Sequence, residues 1–189
     1  MITPLRRGVC SLLPLALLAA IGCGGMGRYN VHVALDHQGL RRELNTIPSV
    51  EVNLVAVNAS EYPVWHGYSV TQYWTPDNPL RVTSVRQGQG KVLTFGEQPP
   101  FEQVLRRPDP VWDTWADKGA MHLIILSNYP RVSTDLPGDA DVRRVILPLA
   151  KRRWRSYGWF TRLFGLGDYL MHLVVTPSGV VNHTPPKPE

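Results

Sequence analysis

The stretch SVEVNLVAV, Ser49 to Val57, decides the fold class. Val50, Val52, Leu54 and Ala56 are apolar at every second position, with Glu51 and Asn53 between them. A side-chain period of two is that of a β-strand, and the β-branched residues suit a pleated surface. Working outward, Tyr29–Leu35 alternates in the same way, with Tyr29, Val31, Val33 and Leu35 on one face. Lys91–Phe95 is a short candidate strand. Met121–Tyr129, Val142–Leu149 and Tyr169–Thr176 are apolar runs of strand length, and Pro177-Ser178-Gly179 is a turn ahead of Val180-Val181. Six or seven short strands separated by Gly, Pro and Asp turns predict a mainly β chain, a single β-sandwich. The intervals between them are too poor in long helical patterns for a parallel βαβ sheet.

Two short helices are expected. Asp109–Gly119 has a capping Asp, Pro110 at the first helical position and Gly119 at the exit, with Val111, Trp112, Trp115 and Ala116 on one stripe. Glu61–Tyr73 is the second, with Ser60 as cap and Val64, Trp65 and Tyr68 on a face.

The N-terminus has a different character. Met1–Gly8 carries Arg6 and Arg7 and no acid, and Val9–Ile21 is uncharged and mostly apolar. This is the layout of an export signal, and thirteen residues are too few for a spanning helix, which needs about 20. Its end, Ala20-Ile21-Gly22-Cys23, resembles the lipobox of bacterial lipoproteins. The resemblance implies a diacylglyceryl group on the Cys23 thiol and cleavage before it by signal peptidase II. Gly24 follows where many inner-membrane lipoproteins carry Asp, so the same resemblance implies the outer membrane, facing the periplasm. The expected organisation is signal peptide 1–22, lipidated Cys23 and linker 23–28, sandwich 29–183 and a disordered tail 184–189. With Cys10 lost in the signal and Cys23 acylated, no thiol is left for a disulfide, a thiol nucleophile or a zinc site. Losing Arg6 and Arg7 leaves 18 basic against 15 acidic residues, a mild excess. An exported chain without a nucleic-acid motif is not expected to bind nucleic acid.

Catalytic patterns are missing from the sequence. It has no HExxH, GxSxG or Walker loop. His122 and His172 open similar MHL pieces and are read as strand histidines, possible neighbours across a sheet, with metal ligation as the other reading. Asp135, Asp139 and Asp141 in DLPGDAD are read as a turn, since the EF-hand pattern is incomplete. No metal, cofactor or catalytic residue is assigned, and the chain is expected not to be an enzyme.

The remaining signal is KRRWRSYGWFTRLFG, Lys151–Gly165. Arg152, Arg153, Arg155 and Arg162 are interleaved with Trp154, Trp159 and Phe160, and no acid interrupts them. These seven residues are the candidate partner-binding residues, because Arg and Trp are enriched at interface centres and at membrane surfaces. The alternative is a surface loop whose aromatic side chains fold back onto the sandwich.

A lipobox, an alternating first strand, aromatic residues in the middle and an apolar strand turning into the Arg-rich Val142–Leu149 together resemble the TssJ lipoproteins of type VI secretion systems. The resemblance implies a small transthyretin-like sandwich, while the strand pattern alone leaves an immunoglobulin-like one open. In that family the sandwich is the lipoprotein itself. It hangs from the outer membrane and grips an inner-membrane protein. Lys151–Gly165 is an insertion relative to that pattern. The expected function is a non-enzymatic docking component of the cell envelope, whose partners are the bilayer, through Cys23, and an envelope protein. The competing class is an anchored enzyme or ligand-binding lipoprotein whose site comes from scattered polar residues.

Overall fold

The computed structural model describes residues 26–86, 88–132, 134–149 and 170–184. Cys23, the signal, the segment Lys151–Gly165 and the end of the tail lie outside the described residues.

Eight strands form two four-stranded sheets. The first has the order β4 (Glu102–Leu105), β1 (Asn30–Leu35), β7 (Leu170–Thr176), β8 (Gly179–Asn182). The second has the order β3 (Gly90–Phe95), β2 (Val50–Val57), β5 (His122–Ser127), β6 (Arg144–Pro148). All neighbouring pairs are antiparallel except β1 and β7, which run parallel with His32 beside His172. The inward faces meet in one core. Val31 and Val33 of β1 and Met171 and Leu173 of β7 join Val52 and Leu54 of β2 and Leu123 and Ile125 of β5, all fully buried. Burial of this apolar area is the main term holding the sheets together. The sandwich expected from the alternation is therefore the observed fold.

The helices are α1 (His37–Leu44), α2 (Tyr62–Gly67), α3 (Val70–Tyr73), α4 (Pro79–Arg86) and α5 (Val111–Asp117). The α5 helix carries the chain from one sheet to the other and inserts Trp112 and Trp115 into the core, fully buried. Their rings meet edge to face at 4.8 Å, and each indole N–H donates to a carbonyl, Arg106 at 3.0 Å and Gln89 at 2.7 Å. A buried indole needs such a partner. Asp109 accepts from the Val111 amide as expected, while Ala116 is exposed rather than on the buried stripe.

The expected helix Glu61–Tyr73 is two helices. Tyr68 is extended, and Ser69 begins α3 by accepting from the Gln72 amide at 2.9 Å. The cap of α2 is also not Ser60. Asn58 accepts from the Ser60 and Glu61 amides, and Val64 points outward at 56% exposure. Three elements without a sequence expectation complete the fold: α1, α4 and β4.

The helices α2 to α4 lie against the outer face of the second sheet. A second apolar cluster joins Val55, Val57, Ile124 and Leu126 to Trp65, Val70 and Tyr73. The outer face of the first sheet bears no such layer among the described residues. Its β1 alternates between half-exposed and buried at every residue, whereas β2 is buried at all positions but Glu51.

Candidate functional site

The two ends of the sandwich differ in what they carry. At one end the described chain begins. Gly27 donates its amide to Leu149 at 2.7 Å, Leu149 to Met121 and Met121 to Val57, while Asn30 pairs with Leu170. Leu149 and Leu170, which flank the segment holding the seven candidate partner-binding residues, thus stand at the end where Gly27 lies. The other end, about 25 Å away along an eight-residue strand, gathers the starts of β2 and β6 and the end of β5.

This far end is built on two adjacent arginines. Neighbouring residues of an extended chain point opposite ways, and Arg143 and Arg144 enter different surroundings. Arg144 is 2% exposed and donates to four backbone carbonyls: Leu136 at 2.7 Å, Trp65 and Tyr68 at 2.8 Å and Gly138 at 2.9 Å. Its guanidinium closes the C-terminal end of α2, where carbonyls lack helical partners and a cation is favourable, and ties it to the turn 136–138. Burial pulls the Arg144 pKa down, opposed by the charges of Asp141, Asp139 and Asp135.

Arg143 grips Asp141 with two bonds, Nε to Oδ1 at 3.0 Å and Nη2 to Oδ2 at 2.8 Å, and reaches Thr71 Oγ1 at 3.1 Å and Asp135. Asp135 also accepts from the hydroxyl of Ser69 and from the amide and hydroxyl of Thr71. Burial raises the Asp135 pKa, but the bonds from Ser69, Thr71 and Arg143 outweigh it and hold the carboxyl well below the usual range. Asp141 is depressed for the same reasons, burial opposing and Arg143 prevailing. Asp139 accepts from the Ile146 amide at 2.7 Å. The three acids of DLPGDAD therefore act as fasteners of a turn. Gly138 sits inside it at φ 56°, where a Cβ would lie 2.4 Å from His66 Nε2.

The same contacts seal a sheet edge. On β6 the outward amides of Arg144 and Ile146 are taken by Asp141 O and the Asp139 carboxylate, and Pro148 has no amide hydrogen. An edge so capped resists adding another strand.

Beside this cluster opens a cavity of about 700 Å³, within the range of ligand pockets. Its walls include Ser49 just before β2 and Glu51 within it, Thr71 of α3 and Trp74 just after it, Arg81 of α4, and Asn128, Tyr129, Arg131 and Val132 after β5. Arg81 places both Glu51 oxygens on Nη2, at 2.9 and 3.0 Å, and lies over the Trp74 ring at 4.9 Å. Two N–H groups shielded from solvent here, Trp74 Nε1 and Arg81 Nε, have no hydrogen-bond acceptor among the described residues.

The histidines separate. His122 lies in the second sheet with its ring tilted by 32° against Tyr62 at 4.4 Å, and burial lowers its pKa. His172 lies in the first sheet, so the two are not neighbours. His172 stands instead between His32 and His183, with ring centres 6.5 and 6.0 Å away, and His32 Nδ1 bonds Glu102 at 2.6 Å. Among the described residues no group of three acids, histidines or cysteines is arranged to hold a metal.

Neither the arginine cluster nor the cavity was part of the sequence expectation. The readable signal was Arg143-Arg144 inside a strand-length apolar run just after three acids, since charges in such a run need built partners.

No family model matches the sequence, and no curated protein matches it. Among solved structures, the chain is similar to Serratia marcescens Lip, a membrane-bound component of the type VI secretion system, with a TM-score of 0.43 and 13% identity over 83% of this chain and 96% of that one. It is similar to the type VI secretion lipoprotein TssJ1 from Pseudomonas aeruginosa, with a TM-score of 0.46 and 8% identity over 86% of this chain and 99% of that one. It is also similar to a chain in a structure of the type VI secretion protein TssM C-terminal domain from EAEC, with a TM-score of 0.45 and 10% identity over 82% and 98% of the two chains.

Proposed function

We propose that this chain is an exported lipoprotein, fixed to the bacterial outer membrane through Cys23, that serves without catalysis as a docking component of the cell envelope, of the type VI secretion kind. The observation that carries the reading is the lipobox-like Ala20–Cys23, which stands shortly before a sandwich whose first strand is Asn30–Leu35. Acylation there would hold the end bearing Gly27, Leu149 and Leu170 against the bilayer and turn the far end toward the periplasm. The basic and aromatic residues of Lys151–Gly165 belong to this reading as contacts for lipid headgroups or for the partner. The perturbed acids, Asp135 and Asp141, are engaged by Arg143 and so serve the architecture.

Metabolic labelling with palmitate tests the anchor. The wild type is expected to take up label and to fractionate with outer membranes, and Cys23→Ser to lose both. Equal labelling of the two chains would remove the basis of the reading.

A further inference from the structure

We propose that β3 is a docking edge, to which an extended segment of another envelope protein adds as a further strand, main chain to main chain. This rests on the docking reading and names the surface and the form of the partner. The strands at the sheet edges are β4 and β8 in the first sheet and β3 and β6 in the second. An unpaired edge is a template for a foreign strand unless something blunts it. On β6 the outward amides are already taken by Asp141 and Asp139. On β8, four residues long, the Val180 amide donates to the Val142 carbonyl at 2.7 Å. β4 is also four residues long and carries Glu102. β3 runs for six residues without proline, and its one charge, Lys91, is held by Asp109 at 2.7 Å.

The direction of the β3 main chain follows from the ladder. Glu51 accepts from the Asn128 amide and donates its own amide to Asn128 Oδ1, so its main chain faces β5. Opposed residues of an antiparallel pair alternate between bonded and non-bonded. Thr94, opposite Glu51, and Val92, opposite Asn53, therefore turn their N–H and C=O away from β2. The Thr94 carbonyl indeed accepts from Gln103 Nε2. The amides of Val92 and Thr94 and the carbonyl of Val92 have no partner among the described residues. Leu93 and Phe95, each 4% exposed, fix the strand to the core, so the edge is formed in advance. Donors and acceptors alternating at strand spacing match an extended polypeptide, which carries the same groups at the same spacing.

A second copy of this chain does not fit the edge. β3 runs from Gly90, opposite Val55, to Phe95, opposite Val50, and so away from the end bearing Gly27. Copies held in one bilayer through Cys23 present β3 in the same direction. An antiparallel pair of β3 strands would point the two anchored ends opposite ways. A two-fold axis along the bilayer normal would set like residues level, each facing the other. The slanted bonds of a parallel ladder instead run from a facing residue to the two neighbours of the residue opposite. The occupant is therefore a strand of another protein, with apolar or β-branched residues beside Val92 and Thr94.

The test follows amide hydrogen exchange by NMR on the isotope-labelled full chain in detergent micelles. The probe is an end-blocked peptide of alternating threonine and valine, as long as β3. Its twin is N-methylated on two adjacent central amides, which blocks both of its edges. In the chain alone, the amides of Leu93 and Phe95 are expected to be protected and those of Val92 and Thr94 to exchange freely. The peptide should protect Val92 and Thr94 saturably, with the twin weaker by about tenfold, the loss of one or two ladder bonds. Val92→Pro removes an outward donor and leaves the ladder to β2 intact, so it should weaken the peptide about tenfold with melting unchanged. Equal binding of the two peptides, no binding, or binding that leaves Val92 and Thr94 unprotected overturns the proposal. Protection of these two amides in the chain alone also overturns it, and if that protection rises with protein concentration a second copy is the occupant after all. Should Val92→Pro fail to fold, the two peptides decide. Crosslinking in cells from Thr94→benzoylphenylalanine separates this from the broader reading. An envelope protein captured alike with and without Val92→Pro would leave docking intact and remove β3 from it. Protection by the peptide with no envelope protein captured would remove the docking reading, and with it the occupant.

Discussion

The outer faces of the two sheets have opposite fates. On the second sheet, Val55, Val57, Ile124 and Leu126 lie beneath Trp65, Val70 and Tyr73. Even Asn53 is fully buried there, donating to the Tyr73 hydroxyl at 3.1 Å. On the first sheet, the corresponding positions of β1 and β7 hold His32, Ala34, His172 and Val174, all partly exposed. The lesson concerns how a thin layer of helix is held on a sheet. The helices α2 and α3 are six and four residues long, too short to be stable alone. Apolar contact is supplemented by two buried guanidiniums, Arg144 on the end of α2 and Arg143 with Asp135 on the start of α3.

The strongest attempt to break this contrast removes the Arg144 guanidinium. Arg144→Met keeps the length of the stem and leaves four carbonyls without their donor. Urea unfolding is expected to show a loss of about 3–5 kcal/mol. A loss below about 1 kcal/mol would mean that apolar packing alone holds the helical layer.

Next in size is Asp141→Asn, which leaves Arg143 partly unpaired at 5% side-chain exposure. The expected cost is about 2–3 kcal/mol at neutral pH. The pH dependence carries a sign. Asp135 and Asp141 have lower pKa values folded than unfolded, so their contribution is full above the unfolded value near 4 and is lost as pH falls through the folded values. The gap between wild type and Asp141→Asn should therefore narrow in acid. A gap constant from pH 7 to pH 2 would contradict the role given to the carboxylate.

The smallest effect belongs to the open face. His172→Ala is expected to change stability by no more than about 0.5 kcal/mol, because a half-exposed polar side chain on an uncovered face has little packing to lose. A thermal melt lowered as far as that of Arg144→Met would show that this face is covered after all.

Sequence reading reached the strands whose pattern is local. Tyr29–Leu35 and Ser49–Val57 declared themselves by period, and Asp109-Pro110 and Gly119 marked the ends of a helix by chemistry that needs no distant partner. It missed β4, where EQVL is short and half polar, and α4, where PLRVTSVR has neither a clear stripe nor strong helix formers. It joined α2 to α3 because nothing in Tyr68-Ser69 forbids helix. The break follows from contacts that only the folded chain provides, Arg144 on the Tyr68 carbonyl and Asp135 on the Ser69 hydroxyl.

By itself, then, the sequence determined which residues turn inward, because alternation is a property of neighbours along the chain, and it determined the export-like N-terminus, which is a matter of composition. Tertiary structure decided who pairs with whom. The parallel pairing of β1 with β7 joins residues far apart in sequence, and no local period encodes a partner. It also decided that one sheet is covered and the other open, and that two arginines are buried. A charge is tolerated inside only where a complete set of acceptors meets it, and for Arg144 those are backbone carbonyls of residues 65, 68, 136 and 138, which no side-chain pattern announces.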